Sequence, residues 1–158
     1  MLYVNLTIDN FTDLVDNRPR FIKIKLEEML YMTKKAIATE KAPAALGPYS
    51  QAISVNGTVY VSGQLPIDPT KGEFAADDIQ GQTRQSLTNI QAILAEAGLD
   101  LSNVVKTTVL LDNIDDFAAM NEVYAEFFTG VTPARAAFEV AAIPKGALVE
   151  IEVVAVES

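Results

Sequence analysis

Residues 133–153, PARAAFEVAAIPKGALVEIEV, decide the fold. Two runs of small, β-branched and aromatic residues flank a turn punctuated by Pro144 and Gly146, so 134–142 and 148–156 read as strands. Side chains of a strand alternate between faces. Arg135, Ala137 and Glu139 therefore share one face of the first strand. In the second, Val149, Ile151, Val153 and Ala155 form an apolar face, with Glu150 and Glu152 opposite. The short connection predicts a hairpin. A register pairing odd with even positions would set Arg135 beside Glu150 or Glu152, and a one-residue slip would reverse this. Such a pair reads in two ways. It is a cross-strand ion pair, or it is a site in which arginine holds a substrate carboxylate and glutamate handles a proton or orients a water.

The rest of the composition narrows the chemistry. The chain has 158 residues, 49% hydrophobic and 21% charged, which suits one domain with a core. Its net charge of −9 argues against a nucleic-acid partner, whose phosphates need clustered Lys and Arg. No apolar run is long enough to cross a bilayer, so no membrane partner is expected. Cys and His are both absent. That excludes disulfides, thiolate nucleophiles, thiolate metal sites and histidine triads. No carboxylate cluster suggests a metal site. A chain without Cys fits a reducing, cytoplasmic setting.

Residues 1–31 differ in character from the remainder of the chain. They hold four of the twelve aromatic residues and two of the four arginines. A signal peptide is not expected there. Leu26-Glu27-Glu28 lies just before Met32, and codons for such a run can spell a purine-rich ribosome-binding site. The expected division is thus an amino-terminal extension, 1–31, with Met32 as the alternative start, and a single domain, 32–158. The other reading is a real extension that packs somewhere. Along the domain, 35–39 reads as a short strand and 43–49 as a loop fixed by two prolines and a glycine. Strands 51–55 and 58–62 flank an Asn56-Gly57 turn, and 68–72 is an exposed loop. Helix 77–98 is capped by Asp77 or Asp78 and ended by Gly98. Its apolar face carries Ile79, Thr83, Leu87, Ile90, Leu94 and Ala97. Strand 103–111 and helix 115–128 come next, the latter with Phe117, Met120, Tyr124, Phe127 and Phe128 inward. This order predicts an α+β domain, a two-layer mixed sheet with two helices on one face. The sheet face left uncovered predicts a homo-oligomer, with a binding cleft between subunits.

Several blocks in order carry a resemblance: IATEKAPAALGPYSQAI, VYVSGQLPID, QTRQSLTNIQAIL, VVKTTVLL, MNEVYAEFF and PARAAFEVAAIPKGALVEIEVVAV. From about Lys35 to Glu157 the chain resembles the Rid (reactive intermediate deaminase, or YjgF) family, most of all the RidA subgroup that deaminates 2-iminobutanoate and 2-iminopropanoate. The resemblance implies a chorismate-mutase-like fold, a homotrimer with sites between subunits, no cofactor and no metal. It implies hydrolysis of reactive enamines and imines to 2-oxo acids and ammonia, a form of metabolite damage control. By the matching motifs, Arg135 clamps the substrate carboxylate and Glu150 positions the attacking water. Tyr49 lines the cleft, Ser62 and Gly63 form a backbone wall, and Asn121 is a polar residue of the same interface. Many members carry Cys where this chain has Ala137. The proposed chemistry does not use that thiol, so activity is expected to survive. The alternatives are a non-catalytic module binding 2-oxo acids or amino acids, RNA cleavage or translation inhibition, and, by fold analogy, chorismate mutase.

Overall fold

Asn56 and Gly57 take φ of +50° and +72°, the left-handed pair that a two-residue hairpin turn requires. They join β2 (Ala52–Val55) to β3 (Thr58–Gln64), and β1 (Lys35–Ile37) adds to the outer edge of β2. The remaining elements are α1 (Ile79–Glu96), β4 (Val104–Leu111), α2 (Phe117–Phe127), β5 (Ala134–Glu139) and β6 (Val149–Val156). The structure is a computed structural model, and it describes residues 34–157. The expected extension over 1–31 and the start at Met32 lie outside the described residues.

The six strands form one sheet in the order β1-β2-β3-β6-β4-β5. The order overturns the hairpin expected over 133–153. β6 pairs antiparallel with both β3 and β4, while β5 pairs only with β4, and in parallel. The physical reason lies one element upstream. β4, α2 and β5 form a strand–helix–strand unit, whose helical crossover returns the chain parallel to its first strand. The apolar β4 then fills the space between β5 and β6. β5 also stops at Glu139, short of the expected 142.

Both helices cover one face. Asp78 caps α1, its Oδ1 accepting from the Gly81 N–H at 2.7 Å. Gly98, at φ +77°, ends it, and the Leu99 N–H turns back to the Leu94 carbonyl at 2.9 Å. The stripe Thr83, Leu87, Ile90 and Leu94 is fully buried, as the spacing predicts. α2 begins later than expected, because Asn113 caps a 3-10 turn over Ile114–Asp116 first. Met120, Tyr124 and Phe128 point inward, whereas Phe117 is 38% exposed. Beneath the helices lie Val59, Val61, Val109, Val149, Ile151 and Val153, all buried. Truncating a side chain such as Ile151 to Ala would cost about 2–5 kcal/mol. The other sheet face has no helix among the described residues and leaves Tyr60 51% and Phe138 47% exposed. No described helix is long and apolar enough to cross a membrane.

Candidate active site

Glu150 lies on β6, on the face away from the helices, since its neighbours Val149 and Ile151 are buried in the core. The β3–β6 register is Val61↔Val153 and then Gln64↔Ile151, so Ser62 and Gly63 together stand opposite Glu152. This bulge brings the Gly63 backbone against the Glu150 side chain. A Cβ on Gly63 would lie 2.8 Å from the Glu150 carboxyl carbon and would overlap its Oε1. Glycine is what lets the two approach. Burial pushes the Glu150 carboxyl above the usual carboxylate range, and the nearby Glu152 pushes it further. The carboxyl opens into a cleft of about 750 Å³, which Tyr49, Ser62, Gly63, Leu46 and Lys145 also line. Tyr49 is half exposed there. Lys145 takes the left-handed conformation at φ +61°.

The cleft walls are loops, and buried amide side chains fasten them. Gln51 is 3% exposed; its Nε2 donates to the carbonyls of Thr39, Ala42 and Pro43 at 3.0, 3.2 and 2.7 Å. Its Oε1 accepts from the Thr39 N–H at 2.7 Å. From α1, Asn89 Nδ2 donates to the carbonyls of Leu65 and Ile67, both at 3.0 Å. Gln82 Oε1 accepts from the Leu148 N–H at 2.8 Å. Ser62 Oγ donates to the Ser50 carbonyl at 2.7 Å. Loop backbone outside the ladder needs such partners when it is buried. Sequence reasoning missed these three amides. The available signal was a polar residue on the buried side of a helix, as at Gln82 and Asn89.

Arg135 sits on the opposite face. Its pair partner on β4 is Thr107, which in turn pairs with Val153, and both are buried under the helices. Glu150 pairs with Leu110, three residues further along β4 and so on the other face. The expectation that Arg135 and Glu150 share a face is therefore corrected: β4 separates their strands, and alternation turns them apart. Arg135 lies instead against α2. Its Nη1 donates to Asn121 Oδ1 at 2.8 Å, and the guanidinium carbon lies 4.6 Å from the Tyr124 ring centre and 5.5 Å from that of Phe117. Among the described residues Asn121 is its one hydrogen-bond acceptor, and no carboxylate pairs with it. Ala137 shares this face, packed against the core opposite Val109.

The chain thus brings together Tyr49, Ser62, Gly63 and Glu150 in one group and Arg135, Asn121 and Ala137 in another. It does not bring the two groups together. Among the described residues no group of Asp and Glu is placed to hold a metal ion.

Residues 39–157 match the model of a family described as endoribonuclease L-PSP. A protein of Capra hircus named 2-iminobutanoate/2-iminopropanoate deaminase is 52% identical over 129 residues, spanning 82% of this chain and 94% of that one. The structure of YyfA from Yersinia pestis, a conserved Rid family protein, superposes with a TM-score of 0.77 at 51% identity, covering 79% of this chain and 100% of that chain. The structure of E. coli TdcF with bound serine gives a TM-score of 0.76 at 43% identity, covering 78% and 99%.

Proposed function

The chain belongs to the endoribonuclease L-PSP family, which includes the Rid proteins, and from that premise we propose that it hydrolyses 2-imino acids, and the enamines that tautomerise to them, to 2-oxo acids and ammonia. The carrying observation is Arg135: a guanidinium stacked on aromatic faces, with one side-chain acceptor and no carboxylate partner among the described residues. A guanidinium with an open edge fits a carboxylate through two parallel hydrogen bonds. The relatives' name, 2-iminobutanoate/2-iminopropanoate deaminase, supplies the substrate class, and the serine held by TdcF is consistent with a small amino-acid-like ligand.

The chemistry needs little beyond placement. The protonated imine carbon is already electrophilic. Glu150 takes a proton from water as the oxygen bonds to that carbon, giving a carbinolamine. The same carboxyl then returns the proton to nitrogen. As the C–N bond breaks and ammonia leaves, it takes the hydroxyl proton so that the carbonyl forms, and it then releases that proton to ammonia or solvent. A carboxyl raised by burial suits this two-way traffic. Tyr49 and the Ser62–Gly63 backbone wall the substrate, Asn121 steadies the clamp, and Ala137 leaves room where many members carry a thiol.

We further read the working unit as a homotrimer. Support comes from the opposed faces of Arg135 and Glu150 and from the exposed Tyr60 and Phe138 on the helix-free face. A site using both groups needs the Glu150 cleft of one copy and the Arg135 edge of another. The chain's charge of −9 favours a small-molecule partner over RNA, and the absence of Cys a cytoplasmic setting.

The test mixes two dead variants. Arg135→Ala and Glu150→Gln are unfolded, combined in equal amounts and refolded. Release of 2-oxobutanoate is then followed, with 2-iminobutanoate supplied in situ by threonine dehydratase. Random assembly should restore roughly a quarter of wild-type activity, because one junction in four joins two intact halves. No recovery would sink the shared site. A wild-type rate in either variant alone would sink its assigned role.

A further inference from the structure

The Arg135 guanidinium is held by a ring whose own placement is fixed from two sides. Tyr124 is 6% exposed, on the face of α2 turned to the sheet. Its phenol shares a 2.8 Å hydrogen bond with Thr107 Oγ1, a hydroxyl with no solvent exposure on β4. Phe128 packs behind it, the ring centres 4.5 Å apart. Burial pushes the phenol up, so it remains a neutral hydrogen-bonding group at physiological pH. Thr107 is also the residue paired with Arg135 in the parallel ladder. One β4 residue therefore sets both the backbone of the arginine and the ring beneath its head group.

This arrangement restricts the guanidinium. Aromatic rings at 4.6 and 5.5 Å engage it through contacts directed at the ring faces, and Asn121 occupies one donor at Nη1. A free arginine at an exposed strand edge would sample many rotamers, and ordering it on binding would weaken affinity. We propose that Tyr124, locked by Thr107, is a positioning residue that fixes the plane of the Arg135 guanidinium for the substrate carboxylate. The proposal rests on the reading of Arg135 as the carboxylate clamp. Tyr124 acts through Arg135 and does not itself touch the reacting atoms.

A double-mutant cycle on the full chain tests it. The probe is 2-oxobutanoate, whose dissociation constant is measured by calorimetry, alongside kcat and KM for imine hydrolysis. Tyr124→Leu should weaken 2-oxobutanoate binding about tenfold in the Arg135 background and less than about twofold in the Arg135→Ala background. The loss should appear mainly in KM for imine hydrolysis and less in kcat, because Glu150 itself is untouched. Tyr124→Phe keeps the ring and the packing and loses only the Thr107 bond. It should weaken binding about threefold, again only when Arg135 is present. Should Tyr124→Leu not fold, this variant decides. Equal weakening in both backgrounds, or none in either, would overturn the positioning role while leaving the clamp. If Arg135→Ala binds 2-oxobutanoate as tightly as the intact protein, the clamp reading falls and the positioning role falls with it.

Discussion

The Glu150 cleft and the Arg135 edge solve one problem by different means. Each keeps an ionisable side chain in one orientation, Glu150 on a strand inside the sheet and Arg135 on its edge strand. At the cleft, the backbone does the work. A bulge at Ser62–Gly63 presses main chain against the carboxyl, and buried amides tie the surrounding loops to α1 and to one another. At the edge, side chains do it. Tyr124, Phe117 and Asn121 project from a single helix onto the guanidinium. The difference follows from charge chemistry. A carboxylate is small and takes its character from solvation, so a wall that excludes water raises its proton affinity. A guanidinium stays protonated and weakly hydrated, so its orientation is what the protein can control. The cleft should thus be sensitive to added volume and to pH, the edge to lost aromatic area.

The sharpest separation comes from Glu150→Gln, which should lower kcat by about 10²–10⁴-fold and leave 2-oxobutanoate binding through Arg135 nearly unchanged. The same variant reads the raised proton affinity of Glu150. The native state holds that proton more tightly than the unfolded chain, so stability declines as pH rises from the ordinary carboxylate range through the folded value. Glu150→Gln should therefore raise the melting temperature at neutral pH and not near pH 3. A gain of equal size at both would break the assignment. In the wild type, the low-pH limb of kcat should sit above the ordinary carboxylate value, because in the proposed reaction the ionised form accepts the proton from water.

Next in size is Gly63→Ala. The added carbon displaces the Glu150 carboxyl and should reduce kcat about 10²-fold, as misplacements of about 1 Å do. A kcat within twofold of wild type would mean that the approach of backbone to carboxyl is incidental. Gln51→Leu strips the loop at 39–43 of its fastenings and should destabilise by about 1–3 kcal/mol. Its activity loss should appear mainly in KM, since Glu150 stays in place. A kcat loss matching that of Gly63→Ala would erase the distinction between wall and reacting group. The smallest effect belongs to neither region. Arg84 and Glu126 form a two-bond pair at 2.6 and 2.8 Å between the helices, but both are half exposed to solvent. Arg84→Ala should leave both kinetic constants and the melting temperature close to wild type, and salt should abolish any difference that remains.

The sequence was most readable where one element explains itself. The α1 apolar stripe, the Asp78 cap, the Gly98 stop and the Asn56-Gly57 turn are local signals, and each stands where its residues predict. Partner choice is not local. Residues 134–156 carry a turn between two strands, yet β5 pairs with β4 because α2 carries the chain back over the sheet. The strand–helix–strand order of 104–139 held that information, and the nearer turn outweighed it. Face assignment failed with the pairing. Arg135, Ala137 and Glu139 do share a face, but it is the one under α2. The motif positions of Tyr49, Ser62, Gly63 and Glu150 converge on one cleft. Tyr124 was hidden because periodicity assigns its position to plain core, and the buried amides because a polar side chain outside the apolar stripe reads as solvent-facing.

The bulge at Ser62–Gly63 also sets out how this scaffold could be re-engineered. Position 63 admits no side chain without moving Glu150, and Glu150 belongs to a strand paired on both sides. That corner is fixed hardware. The opposite wall, which includes Pro43, Ala44 and Leu46, hangs on the Gln51 carboxamide and returns to the sheet within a few residues. A library aimed at larger imines should vary residues 43–46 with Gln51 retained, and should leave the strands alone.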